Sequence, residues 1–234
     1  MRHGRRAAGA CRDTRRRVAR CGVALAALAL AASAQAAVAQ ARHPHGRLFP
    51  PEDLAILEGP DRDAWQQPGR IMDALGIADG SVVADIGAGG GWFTVRLARR
   101  VGPNGLVYAE DVQRQMLEAI ERRIEREGLP NVRTVLGRDD DPRLPPASLD
   151  AALVVDAYHE VQDRVGLLQR LRESLRPSGR VGIVDFRNDG GGPGPPAEDR
   201  IDPSVVIADA AQAGLRLIAH ERFLPYQYLL IFGP

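Results

Sequence analysis

The chain has 234 residues, 44% of them hydrophobic and 26% charged, with a formal net charge of +1. That make-up suits one globular domain, or one plus a tail, long enough to build a core without a disulfide or metal staple. The charge is unevenly spread. Residues 1–39 hold eight arginines and one acid, so the remainder has 23 basic and 29 acidic residues, a net charge of −6 that argues against gripping phosphate backbones.

The chain opens with arginines at positions 2, 5, 6, 12, 15, 16, 17 and 20, followed by the apolar run "CGVALAALALAA" (Cys21–Ala32). This run is too short to span a bilayer with ease. Ala37-Val38-Ala39 fits a small-x-small cleavage site, with Ala34-Gln35-Ala36 as a second candidate. Residues 1–39 are therefore expected to be a signal peptide, with Gln40 as the mature N-terminus. "TRRRVA" (Thr14–Ala19) also resembles a twin-arginine export signal. Cys11 and Cys21 both fall in this lead, so the mature chain is expected to lack thiols, disulfides and cysteine metal sites. The expected location is periplasmic or secreted, without stable membrane insertion after signal removal. It becomes cytoplasmic if translation begins further in, near Val23 or Val38.

Residues 40–50 read as a linker and 51–234 as the folded domain. Short helices are expected over Pro51–Leu57 and Pro68–Leu75, each with proline near its start. From Ser81 strands and helices alternate. Strands are expected at Val82–Ile86, Leu106–Glu110, Val132–Leu136, Ala151–Val155 and Arg180–Asp185. Helices are expected at Trp92–Val101, Val112–Glu127, Asp163–Leu175 and Ser204–Ala213. Near-continuous apolar strands separated by helices predict a parallel sheet covered on both faces. The last two strands, Leu215–Glu221 and Tyr226–Phe232, are joined too tightly for a parallel crossover and must be antiparallel. "NDGGGPGPPAED" (Asn188–Asp199) is too rich in glycine and proline to pack, and reads as a mobile loop.

The first strand–helix turn, "DIGAGGG" (Asp85–Gly91), is built for close backbone approach to a ligand. Ligands bind such sheets at the carboxyl ends of the strands. A dinucleotide site requires G-x-G-x-x-G. Counting from Gly87 puts Trp92 at the third glycine, and counting from Gly89 puts Thr94 there, which disfavours a nicotinamide-dependent oxidoreductase.

"VVADIGAGGGWFTVRLA" (Val82–Ala98) resembles motif I of the class I S-adenosylmethionine-dependent methyltransferases. Four more stretches continue the resemblance in order: "VYAEDVQRQMLEAI", "VRTVLGRDDDP", "LDAALVVDAYHEV" and "LRPSGRVGIVDF". It implies a Rossmann-like, doubly wound α/β/α fold with a seven-stranded, mostly parallel sheet. The implied strand order is 3-2-1-4-5-7-6, with the last strand antiparallel. It implies S-adenosyl-L-methionine as cofactor and methyl transfer to a small-molecule acceptor by in-line displacement.

The resemblance also implies roles for residues. Asp85 lies near the methionine end of the cofactor, although it also reads as a helix-capping acid. Gly87, Ala88, Gly89 and Gly91 form the cofactor loop. Asp111, with Glu110 beside it and Val112 after it, holds the place of the ribose-binding acid, about twenty residues past the glycines. The adenine-binding acid falls to Asp139 or Asp140, within a run that also includes Asp141. Asp156, Tyr158 and His159 follow the fourth strand over the methyl position. His159 is a candidate general base, since its ordinary pKa lies near neutrality; alternatively Tyr158 and His159 wall the pocket. Trp65 and Gln66 sit where a lid helix is expected. No metal site is expected. The competing reading is an exported, non-catalytic binding module of the same fold, because S-adenosylmethionine is made in the cytosol.

Overall fold

The computed structural model describes residues 48–189 and 191–234. The expected signal peptide, and linker residues 40–47, lie outside that range. Seven strands form one sheet: β1 (Val82–Ile86), β2 (Leu106–Asp111), β3 (Val132–Leu136), β4 (Leu149–Val155), β5 (Leu175–Phe186), β6 (Arg216–Glu221) and β7 (Gln227–Gly233). Their order is β3-β2-β1-β4-β5-β7-β6, as the resemblance implied. Strands β1 to β5 run parallel, and β7 runs antiparallel to both β5 and β6.

The central strands are apolar on both faces because both faces are covered. Successive side chains point to opposite sides, so neighbouring residues join different cores. Val83, Leu153 and Leu229 pack with α2 (Pro68–Leu75), α3 (Trp92–Val101) and α4 (Arg114–Glu127). Ala84, Val154 and Leu230 pack with α5 (Arg164–Ser174) and α6 (Pro203–Gln212) on the other side. Helix α4 shows why such segments fold as they do. Met116, Leu117 and Ile120 are buried while most of its charged residues face out. Gly128, left-handed at φ 63°, then stops it and donates its N–H to Glu125 and Ile124.

From β1 the chain moves outward through β2 and β3, then crosses back to lay β4 on the other flank of β1. That reversal opens a crevice above the carboxyl ends of β1 and β4. A short helix, α1 (Arg62–Gln66), and a 3-10 helix (Pro51–Glu58) reach that crevice, which Leu54, Glu58 and Arg62 line.

One expectation is corrected and one is sharpened. Strand β5 begins at Leu175, which pairs with Leu149. Arg180, the expected start of the strand, is the next paired residue, opposite Ala151, so residues 176–179 are an irregularity in the pairing inside a longer strand. Most described residues of the glycine-rich loop after β5 are exposed, as expected, but the loop is pinned at a few points. Arg200 donates to the carbonyls of Pro195, Arg187 and Gly191. Gly192 and Gly194, both at positive φ, lie so close to the rings of Tyr226 and Phe186 that a β-carbon on either would overlap them. Glycine here permits close packing against aromatic rings.

Candidate functional site

The crevice is floored by the turn after β1. Gly87 is left-handed at φ 64°, and a β-carbon there would stand 2.7 Å from Cβ of Ala157, after β4. Only glycine lets these two strand ends close on each other. The loop is then fixed by β2: the Gly89 N–H donates to Asp111 Oδ2 at 2.9 Å, and the Ala88 N–H to the Glu110 carbonyl at 2.9 Å. Gly87, Ala88, Gly89 and Gly90 line the crevice. The structure places Gly91 elsewhere: it is the N-cap of α3 and backs onto Ile120, where a β-carbon would stand 3.1 Å away.

Asp85 is buried, lines the crevice, and accepts the Thr94 hydroxyl at 2.6 Å. It thus serves the first turn of α3 and the cleft together. Burial pushes its carboxyl up to about 6, against the pull of Thr94 and the Arg62 charge. Asp111 is also buried and lines the cleft with Val112. Its second oxygen accepts the Gln113 N–H at 2.8 Å, so both oxygens are oriented by backbone amides. Burial raises its pKa.

The acid run after β3 divides. Asp139 lines the cleft with Arg138. Asp140 turns back to Arg138 Nε at 3.1 Å and does not line it, so its assignment to the cofactor is corrected. Asp141 accepts the Arg143 N–H.

At the end of β4, Asp156 lines the cleft in the left-handed conformation, φ 55°, which is strained for a non-glycine residue. It is held from several directions. Gln66 Nε2 donates to its Oδ2 at 2.9 Å, Gln227 Nε2 donates to its Oδ1, and Arg62 lies 3.4 Å from Oδ2. Gln66 and Gln227 are fully buried and bond each other at 3.2 Å. Arg62 also stacks on Trp92, 4.2 Å from the ring centroid, and both residues line the cleft. Burial lifts Asp156 to about 6, opposed chiefly by the Arg62 charge. Sequence reasoning missed Arg62 and Gln227. Trp65 packs near Phe186 and Tyr226, with ring centroids 6.0 and 6.3 Å away.

Two of the residues proposed for catalysis lie behind the cleft wall. Tyr158 is fully buried in the core against α5 and α6, and its hydroxyl donates to Asp209 Oδ2 at 3.1 Å. Burial raises its pKa, and its place in the core is that of a structural phenol. His159 does not line the cleft, although Asp156, Ala157 and Glu160 do. Its backbone N–H and Nδ1 both meet the buried Asp185, Nδ1 at 3.0 Å from Oδ1. Burial depresses its pKa. The hydrogen bond and charge of Asp185, with Glu160 adding to them, outweigh that and push it up to about 9. A histidine protonated at neutral pH is a poor general base.

A strap completes the site. The Phe49 N–H donates to Glu160 Oε2 at 3.1 Å, and its carbonyl accepts Gln113 Nε2 at 3.0 Å. Leu48 and Phe49, read from the sequence as linker, thus line the cleft with Leu54. Arg123 ties the 3-10 helix down, meeting Glu58 at 2.5 Å and the Gly90 carbonyl at 2.8 Å. The cleft presents seven carboxyl residues (Glu58, Asp85, Glu110, Asp111, Asp139, Asp156 and Glu160) against Arg62 and Arg138. That balance favours a ligand carrying positive charge. Among the described residues, no group of three or more His, Cys, Asp and Glu side chains could hold a metal ion. Nor is any described helix long and apolar enough to cross a membrane.

Residues 83–179 match the family described as "Methyltransferase domain". Nocamycin O-methyltransferase of Saccharothrix syringae is 31% identical over 166 residues, covering 64% of this chain and 57% of that protein. A ubiquinone/menaquinone biosynthesis C-methyltransferase of Hahella chejuensis is 28% identical over 116 residues, covering 49% and 47%. This chain spans about half the length of these curated relatives. A solved SAM-dependent methyltransferase from Aquifex aeolicus superposes with a TM-score of 0.75 at 26% identity, covering 79% of this chain and 98% of that one. The fold is that of the class I methyltransferases, and S-adenosylmethionine is the cofactor these likenesses imply. The residues present fit it: a glycine cradle that a side chain would fill, oriented carboxylates, and an excess of acid suited to a sulfonium.

Proposed function

We propose that this protein is an S-adenosylmethionine-dependent methyltransferase acting on a small, largely apolar acceptor. The observation that carries the reading is Asp111, whose two oxygens are aimed by the amides of Gly89 and Gln113 at the end of β2. When bound, S-adenosylmethionine supplies an activated methyl group on a sulfonium.

The chain's own residues then bind and orient. Asp111 receives the ribose hydroxyls, and Asp139 faces the adenine end. Asp85 and Arg62, which line the cleft with Trp92, hold the amino and carboxylate groups of the methionine end. Asp156, fixed by Gln66, Gln227 and Arg62, faces the acceptor. Leu48, Phe49, Leu54 and Val161 supply an apolar wall and exclude water. The quinone-biosynthesis name of one relative agrees with an acceptor of that character. Holding nucleophile, methyl and sulfur in line supplies much of the rate, so no covalent intermediate is needed. If the acceptor must lose a proton, Asp156 is the better-placed group, because its pKa of about 6 leaves it ionised at neutral pH. His159 acts from behind, and we assign it to positioning.

The test is calorimetric titration of the full chain with S-adenosylmethionine and S-adenosylhomocysteine, beside Asp111→Ala. Micromolar binding weakened tenfold or more by the substitution, roughly 1.4 kcal/mol, supports the reading. A folded chain that binds neither ligand overturns it. The export-like lead favours one second reading, a non-catalytic binding module, which predicts ligand binding without methylation of any phenol or quinol in a screen with labelled cofactor. We further propose that residues 1–39 are removed on export. Mass measurement of the exported protein checks this, and an intact N-terminus refutes it.

A further inference from the structure

Glu110 is an acid at the end of an otherwise apolar strand, one residue before the acid assigned to the ribose. It is 3% exposed, yet it lines the cleft. Its side chain makes one hydrogen bond among the described residues, a long one of 3.4 Å from the Gly87 N–H to Oε2. Its Oε1 lies over Gly137, where a β-carbon would overlap it. A buried carboxyl therefore sits between the loops that follow β1 and β3, admitted by a glycine and only weakly satisfied by the protein. The amino-acid half of the cofactor is assigned to Asp85 and Arg62, which leaves Glu110 on the nucleoside side.

The groups around it are mostly acidic. Asp111 is its neighbour on β2, Asp85 comes from β1, and Asp141 comes from the loop after β3, where Arg138 and Asp139 also line the cleft. We propose that Glu110 is a specificity contact for the adenosine half of the cofactor, and that its neutral carboxyl donates a hydrogen bond to an acceptor atom of the nucleoside. The inference rests on the cofactor reading above. A carboxylate there would be an acceptor only, and would repel the same nucleoside atom. Burial first, and then the charges of Asp111, Asp85 and Asp141, push this carboxyl up to about 8, with only the Gly87 amide opposing. A carboxyl raised to about 8 is mostly protonated at pH 7 and ionises as pH rises above 8.

The test is calorimetry on the full chain from pH 6.5 to 9.0, with circular dichroism at each pH to show that it stays folded. The ligand is 5′-methylthioadenosine, which keeps the nucleoside but lacks the amino-acid half and so has no titrating group in that window. If only the neutral form binds, affinity is lost as pH rises through about 8, by about tenfold over the window. Glu110→Gln keeps the donor and cannot ionise, so its affinity stays within about twofold of the pH 6.5 value throughout. Parallel profiles for wild type and Glu110→Gln overturn the inference, as does loss of binding by Glu110→Gln at pH 6.5. A folded wild-type chain that binds neither methylthioadenosine nor S-adenosylhomocysteine at any pH overturns the cofactor reading itself, and this inference with it.

Discussion

The two ends of the cleft are built differently. Over β1, β2 and β3, backbone does the holding. Three left-handed glycines shape the loop, and Asp111 is aimed by two amides, one of them only two residues away. Over β4, β5 and β7, side chains do the holding, and they come from remote parts of the chain. Asp156 is met by Gln66 across 90 residues, by Arg62 across 94 and by Gln227 across 71. The first end is specified by conformations that few residues can adopt. The second is specified by a buried polar network in which each donor needs its acceptor.

That contrast predicts different responses to substitution. The largest effect is expected at the backbone-built end. Gly87→Val places a branched side chain at φ 64° and against Ala157. The strain and overlap cost roughly 3–4 kcal/mol, read as a lower denaturation midpoint together with loss of cofactor binding. Native stability and unchanged affinity would show that the loop tolerates a side chain, and the comparison would fail at its strongest point.

At the side-chain-built end the largest effect is expected from Asp185→Asn. Removing one partner of a buried charged pair costs on the order of 3 kcal/mol. The pH dependence has a definite sign. The folded pKa of His159, about 9, lies above its ordinary 6.5. The pair's contribution is therefore full below about 6.5 and fades as pH rises through about 9. Asp185→Asn should accordingly destabilise more at pH 6 than at pH 10 in denaturant titrations at both values. An equal loss at the two pH values would mean that His159 is neutral in the fold, and would return it to candidacy as a base.

A smaller loss, about 2 kcal/mol, is expected from Gln227→Leu, which strips Asp156 of one donor and leaves Gln66 short of an acceptor. A double-mutant cycle with Gln66→Leu should show coupling, because the two share one carboxylate. Additive losses would mean that the network is a set of independent bonds.

The same division explains what could be read in advance. The glycine loop, Asp85 and Asp111 were legible because local conformation and short spacing carry their roles. The sheet was legible because short, mostly apolar strands alternate with amphipathic helices. The Arg62–Gln66–Asp156–Gln227 network was not, since nothing in "DRDAWQ" or "PYQY" announces a shared carboxylate. Phe49 was hidden for a related reason: its contacts with Gln113 and Glu160 use mainly its backbone, which leaves no mark in residue type. In the glycine-rich loop, composition could not show that two of its glycines, Gly192 and Gly194, fit against Tyr226 and Phe186. Glu110 was visible as an acid in an apolar strand, but its burial depends on Gly137, 27 residues on.

Tyr158 gives the smallest and most discriminating test. Three consecutive residues, Tyr158, His159 and Glu160, form one turn of 3-10 helix after β4, and one turn sends them to three places. Glu160 faces the cleft, His159 meets Asp185 behind it, and Tyr158 enters the core to reach Asp209 on α6. Tyr158→Phe removes one hydroxyl and leaves the ring packing, so it should cost about 1 kcal/mol. Arg164 remains to pair Asp209, at 2.8 Å from its Oδ2, which limits the loss. Because the ring lies on the α5–α6 side of the sheet, cofactor affinity and turnover should stay at wild-type values. A fall in turnover without a fall in stability would put the phenol in the reaction. The wall between core and cleft at the end of β4 would then be thinner than its packing indicates.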